Sequence, residues 1–188
     1  MLISMPTSDG YTVSEVASCV GAVTPRQQDL WLRRLRHWTT MGVLETLSGQ
    51  HVGTGRERRY GVEAVYLAAV LLGLGDLGLP IGVLKTIASA IEADLSKHED
   101  SAELWEEAKR PPKVIAAGCV WVGLAVKIDD ESAQEAVEVG IRIAKGESLM
   151  TPEFYLEQND TIIIRNLTQI FGRVKLCRRH TGRYRGHR

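Results

Sequence analysis

Arg36-His37-Trp38, Gly42-Val43-Leu44, Arg58-Arg59-Tyr60 and Leu77-Gly78-Leu79, running on through Pro80 to Leu84, follow one another in a single stretch of a 188-residue chain, and their reading decides the fold. Upstream of Arg36, Thr24-Pro25 opens a helix, with Thr24 as N-cap and Pro25 at the first helical position, where its missing N–H is no loss. The helix runs to about Met41. Leu32, Leu35, Trp38 and Trp31 make its apolar face, and Gly42 suits its C-terminal stop. Residues 43–47 alternate as a strand does. Ser48-Gly49-Gln50 and Gly53-Thr54-Gly55 are turn-formers, and residues 56–60 read as the returning strand. Residues 62–74 form an apolar helix punctuated by Gly73, Gly75 and Gly78. Pro80 begins another, with Ile81, Leu84, Ile87, Ala88 and Ile91 at helical spacing. The order is helix, turn, basic hairpin, two helices.

Residues 12–20 add a short helix in front. Thr12 or Ser14 can cap it, Glu15 stands three residues after Thr12 as in a capping box, and Val13, Val16, Ala17 and Val20 share a face. The zero net charge conceals an uneven spread. Residues 92–160 carry sixteen acidic and seven basic side chains, whereas residues 161–188 carry eight basic and no acidic ones. Between Thr24 and Tyr60 seven arginines, Arg26, Arg33, Arg34, Arg36, Arg56, Arg58 and Arg59, face only Asp29, Glu45 and Glu57. A polyanion partner needs a basic face rather than a basic total.

Gln27 and Gln28 stand with Arg26 in the first turn of the second helix. Glutamine can pair with adenine, and arginine with guanine, through two hydrogen bonds each in the major groove. In a helix-turn-helix the N-terminal part of the second helix faces base edges. Arginines further along, and those on the hairpin, hold phosphates and set the register. An ordinary solvated helix with a few salt bridges is the competing reading of the same charges.

Taken together, residues 11–91 resemble the DNA-binding domain of the MerR family of bacterial transcription regulators, a winged helix-turn-helix. Tyr11-Thr12-Val13-Ser14-Glu15-Val16-Ala17 is similar to that family's opening helix. Leu35-Arg36-His37-Trp38 with Gly42-Val43-Leu44 is similar to the end of its recognition helix, Arg58-Arg59-Tyr60 to its arginine–any–tyrosine wing motif, and Leu77-Gly78-Leu79 with Ile81, Leu84 and Ile87 to its glycine-centred turn and fourth helix. The resemblance implies that Arg36 contacts phosphate and that Arg58 contacts the DNA backbone from the wing. His37 stands where the family usually has tyrosine, and either keeps a phosphate contact or packs. Trp38 and Tyr60 pack between helix and wing, with a phosphate contact as the alternative for Tyr60. The chain departs from the pattern in having more residues between Ala17 and Arg34, and in lacking a long dimer helix after the fourth helix. The DNA-binding set expected is therefore Thr24, Arg26, Gln27, Gln28, Arg33, Arg34, Arg36, His37, Arg56, Arg58, Arg59 and Tyr60.

The remainder organises around Pro111-Pro112, which a helix cannot cross. The expected divisions are a disordered 1–10, the winged helix 11–91, a helical connector 92–112 with a helix over about 101–109, a small α/β domain 113–176, and a disordered basic tail 177–188. Within the small domain, residues 113–127 suit one bent strand or two short ones. Residues 132–145 read as a helix with Ala133, Ala136, Val137, Ile141 and Ala144 on one side. Residues 161–164 form a β-branched strand, and residues 166–174 a short helix or a continuation of that strand. Asp129-Asp130-Glu131 is expected to cap the helix that follows rather than to form a carboxylate site. Trp121 and Phe171 line a small pocket or belong to a core.

The fold class expected is thus α+β. Cys19, Cys119 and Cys177 are odd in number and not at metal-ligand spacing, which suits a reducing cytoplasm and neither a disulfide framework nor a metal site. No apolar run approaches the ~18 residues of a membrane span, and no secretory signal is expected of 1–6. No nucleophile–base pair or metal motif stands out, so the chain is not expected to be an enzyme or to need a cofactor. The expected function is a cytoplasmic, bacterial-type transcription regulator that binds double-stranded promoter DNA as a homodimer and distorts it, with RNA polymerase as a further partner, an effector of unknown chemistry and no membrane. Two alternatives stand beside it. One is an excisionase-like or architectural DNA-bending protein. The other is a protein-interaction or ligand-binding module whose winged helix no longer binds DNA.

Overall fold

The computed structural model describes residues 10–21, 24–47, 57–110, 119–128, 136–145 and 161–176. Its elements in chain order are helices α1 (Val13–Cys19), α2 (Pro25–Thr40), α3 (Val62–Gly75), α4 (Ile81–Lys97) and α5 (Glu99–Ala108), strands β1 (Val120–Ile128), β2 (Ala136–Lys145) and β3 (Thr161–Asn166), and helix α6 (Leu167–Gly172). The fold is α+β: a helical assembly with one small antiparallel sheet of order β2-β1-β3.

Local chemistry sets the helix ends. Thr12 accepts the Glu15 N–H at 3.2 Å while the Glu15 carboxylate accepts the Thr12 N–H at 2.7 Å, a complete capping box. Thr24 and Gln27 repeat it at the start of α2, with Pro25 behind the cap. The end of α2 is a Schellman motif. Gly42, at φ 70°, donates its N–H to the Thr39 carbonyl, and the Val43 N–H reaches the Trp38 carbonyl at 2.8 Å. Val43 and Trp38 are both buried in the core, as the apolar residues of this motif usually are. Gly78, at φ 81°, similarly turns the chain after α3 into Pro80 and α4.

α3 is central. Val65, Tyr66, Leu67, Ala68, Val70, Leu71, Leu72 and Leu74 are all buried, an apolar surface that reaches most of the way round the helix. α4 buries the stripe Val83, Leu84, Ile87, Ala88 and Ile91, and α5 buries Ser101, Trp105 and Ala108. The sheet lies against α4 and α5. Alternation along β1 turns Val120, Val122 and Leu124 to the core, where Val122 stands opposite Ile143 and Leu124 opposite Ile163.

α6 then returns the chain to the helices. Asn166 caps it by accepting the Gln169 N–H at 2.8 Å. Phe171 meets Tyr66 edge-on at 4.8 Å between ring centroids and Trp105 at 4.7 Å. Beyond α6 the Lys175 N–H donates to the Cys19 carbonyl at 2.7 Å, tying this end to α1. One continuous set of buried side chains runs from Val16 to Phe171 and includes residues on both sides of Pro111-Pro112.

Two expectations are corrected. The helix expected over 132–145 is strand β2 in its described part, paired with β1 from Lys145 to Glu138 and again, after a register shift, at Ala136. Val139, Ile141 and Ile143 face the core at a period of two, and Gly140 between them is a poor helix residue. The hairpin expected over 43–60 is not a strand ladder where it is described. Val43 and Leu44 are both buried, where alternation exposes one of them, and Tyr60 pairs with Tyr11 instead. The described contact between the two arms is the Leu47 N–H bond to the Arg59 carbonyl, 2.8 Å. The glycine-rich tip, residues 1–9 of the expected 1–10 terminus, the 177–188 tail and Asp129-Asp130-Glu131 lie outside the described residues, whereas Gly10 is described.

Candidate nucleic-acid interface

The polar face of α2 is organised by helical period. Arg26, Arg33, Arg36, His37 and Thr40 are exposed along one side, and Asp29, the single acidic residue of α2, lies among them. Leu35, Trp38 and Thr39 occupy the opposite, buried side. At about 1.5 Å per residue, α2 is about 24 Å long and Arg26 stands about 15 Å from Arg36 along its axis. Arg26 and Arg36 have no ion-pair partner among the described residues. Arg33 only returns its Nε–H to the Asp29 carbonyl, at 3.3 Å.

Other members of the expected set have structural work instead. Thr24 and Gln27 close the capping box, which engages the Gln27 amide oxygen. Gln28 Nε2 donates to the Ser18 hydroxyl at 3.3 Å and so links α2 to α1. Arg34 pairs with Asp76, just beyond α3, at 2.6 Å, and one of its guanidinium nitrogens lies near Gly75. Arg59 pairs with Glu57 at 2.9 Å and approaches the capping carboxylate of Glu15 at 3.9 Å.

Tyr60 is not at the surface. It is 1% exposed, with its hydroxyl 2.7 Å from that of Thr39. Because the Thr39 hydroxyl donates to the Leu35 carbonyl at 2.8 Å, its single hydrogen is used and Tyr60 is the donor between them. The bond places the 57–60 segment beside α2. Arg58 is half-buried on that segment and has no ion-pair partner among the described residues. Arg56 lies outside them.

The structure therefore brings together Arg26, Arg33, Arg36 and His37 on one helix face, and anchors the segment carrying Arg58 to the back of the same helix. Thr39 is missing from the sequence-level set. Its signal was a threonine on the apolar face of α2, four residues after Leu35, where its hydroxyl can return to the backbone. Trp38 is core, 4% exposed, as are Phe171 and Cys19, whereas Cys119 is half-buried just ahead of β1. No group of three or more His, Cys, Asp or Glu among the described residues is placed to hold a metal ion. No helix among them is long and apolar enough to cross a membrane.

No family model, curated protein or solved structure matches the chain.

Proposed function

We propose that the protein is a transcription regulator of the MerR-like type, a winged helix-turn-helix that binds double-stranded DNA with α2 and the 57–60 segment. The observation that carries this reading is the exposed arginine face of α2, with three guanidinium groups along one side of a rigid helix and free of acidic partners among the described residues. A helix of that diameter fits the major groove, about 12 Å wide. Arg26, in the first turn of α2, is assigned to base edges. Arg33, Arg36 and Arg58 are assigned to phosphates, which fix position without reading sequence. Thr24, Gln27 and Gln28 hold the helix end in place, so in this reading they support base contact rather than make it.

A single module of this size covers one half-site, so the regulator is proposed to act as a homodimer on a two-fold symmetric promoter site. Distortion of the DNA is then part of recognition and of the access given to RNA polymerase.

The test is the salt dependence of duplex DNA affinity for the full chain and for the double variant Arg36→Ala/Arg58→Ala. Each lost phosphate contact flattens the log–log slope by about 0.9. The double variant is expected to weaken binding and lose close to two such increments. An unchanged affinity and slope would remove both phosphate assignments.

A further inference from the structure

A cleft of ≈ 480 Å³ opens between residues 45–47, the first turns of α3 and the C-terminal half of α4, with Trp105 of α5 in its wall. Ala64, Leu67, Ile91, Leu95 and Trp105 give it an apolar floor, and Leu47, 62% exposed, stands at its mouth. Three carboxylates belong to it: Glu45, Glu63 and Glu92. Glu63 is already engaged, accepting the Trp105 indole N–H at 3.1 Å and pairing with Lys109 at 2.7 Å. Glu45 and Glu92 have no hydrogen-bond or ion-pair partner among the described residues, and among those residues no lysine or arginine lines the cleft, Lys109 reaching it only through Glu63.

We propose that this cleft binds a small organic cation with an apolar body, its positive centre between Glu45 and Glu92 and its body on Leu67, Leu95 and Trp105. The volume is in the range that encloses a drug-sized molecule. Two uncompensated carboxylates beside an apolar wall repel an anion and leave a neutral apolar guest with no gain over a cationic one. The carboxylates of the cleft are not grouped as a metal site, since no three or more His, Cys, Asp or Glu among the described residues are placed to hold a metal ion. A cation with an apolar body satisfies both halves of the site. The Glu92 carboxyl is pushed above its ordinary range, first by burial and then by Glu45, as a pair lacking its counter-charge requires. This site stands whether or not α2 meets DNA, because none of its residues belongs to the arginine face. Its wall does include Leu47, which is bonded to Arg59, so an occupant restrains the segment that carries Arg58.

The test is calorimetric titration of the full chain with octyltrimethylammonium, and in parallel with octyl sulfate, an anion of the same chain length, both below micelle-forming concentrations. Saturable binding of the cation, with a Kd at or below about 1 mM, and no saturable binding of the anion are expected. Glu45→Gln/Glu92→Gln should weaken the cation about tenfold or more by removing both charges. Leu47→Lys, at a position 62% exposed, should weaken it comparably by placing a competing cation at the mouth, in a variant first shown to be folded by its circular dichroism. Absence of saturable cation binding, equal binding of the anion, or unchanged affinity in Leu47→Lys and in the folded double variant would each overturn the proposal.

Discussion

The Tyr60 hydroxyl donates to Thr39 Oγ1 across 2.7 Å in the buried layer behind α2, and Thr39 passes its own hydrogen to the Leu35 carbonyl. This relay fixes the 57–60 segment to the helix whose other side carries Arg26, Arg33 and Arg36. Thr39→Val leaves the buried Tyr60 hydroxyl without an acceptor, at a cost of about 1–3 kcal/mol, whereas Tyr60→Phe removes both the donor and the need for it, at about 1 kcal/mol. In urea unfolding the double variant should therefore lose less than the sum of the two singles. Additive losses would show that the two hydroxyls do not depend on each other.

Arginines on α2 are expected to divide by what they touch. Arg34→Ala removes an exposed pair with Asp76, should cost less than about 1 kcal/mol of stability, and should leave the salt slope of DNA binding unchanged. Arg26→Ala/Arg33→Ala should leave the melting temperature nearly unchanged, lower DNA affinity, and flatten the salt slope by about 0.9 for the phosphate contact of Arg33. Titration of both variants on one duplex checks this. An Arg34→Ala slope as flat as that of the Arg26/Arg33 variant would refute the division.

Phe171 joins the C-terminal helix to the rest of the core through two edge-on aromatic contacts. Phe171→Ala should cost about 3–5 kcal/mol, as burial and a cavity both contribute, with part of the loss from the aromatic geometry itself. Because α3, α5 and α6 share that contact, near-ultraviolet and far-ultraviolet signals should fall in one transition, shifted to lower denaturant. Two separated transitions in the wild-type chain would show that the helical and sheet parts unfold independently.

Glu92 has a folded-state pKa above its ordinary value, from burial and from Glu45. The other charged groups at the cleft are Glu63 and the Lys109 that pairs with it. The folded state therefore binds the Glu92 proton more tightly than the unfolded state does. Stability falls as pH rises from the ordinary carboxylate value through the raised one, and the deficit remains at higher pH. Glu92→Gln should stabilise the protein at pH 7, by less than about 1 kcal/mol because the carboxyl is only partly buried and solvent screens it. The gain should vanish once the wild-type carboxyl is protonated, below its ordinary range. Urea midpoints at pH 7 and pH 3.5 compare the two states, and a stabilisation equal at both would rule out this origin.

Much of the helical part was legible because its signals are local. Thr12 with Glu15, Thr24 with Pro25, and Gly42 each act within a few residues, so their chemistry is fixed before any tertiary contact forms. The candidate interface was legible to the same extent. The arginine spacing that gives α2 its exposed face is written in its period, as is the burial of Leu35 and Trp38 behind it. The sheet was less legible. Residues 136–145 carry alternating Val139, Ile141 and Ile143, but the alanines among them also fit a helical spacing, and only pairing with β1 excludes that second pattern.

Local signals place α1, α2, α3 and the start of α4, mark which side of α2 carries its charges, and identify residues 161–164 as a strand, whereas α4 runs on to Lys97 and α5 begins at Glu99, inside the expected connector. Caps, turn glycines and apolar periods are properties of neighbouring residues. Long-range packing settles that Arg34 is paired, because Asp76 reaches it from beyond α3, whereas Arg59 has the neighbouring Glu57 as its close partner and the distant Glu15 at 3.9 Å. It alone decided that Tyr60 turns inward to Thr39, that Phe171 closes against Tyr66 and Trp105, and that Glu45 and Glu92 share one cleft. Each of these depends on contact between residues far apart in sequence, and no local propensity encodes the energy of such a contact.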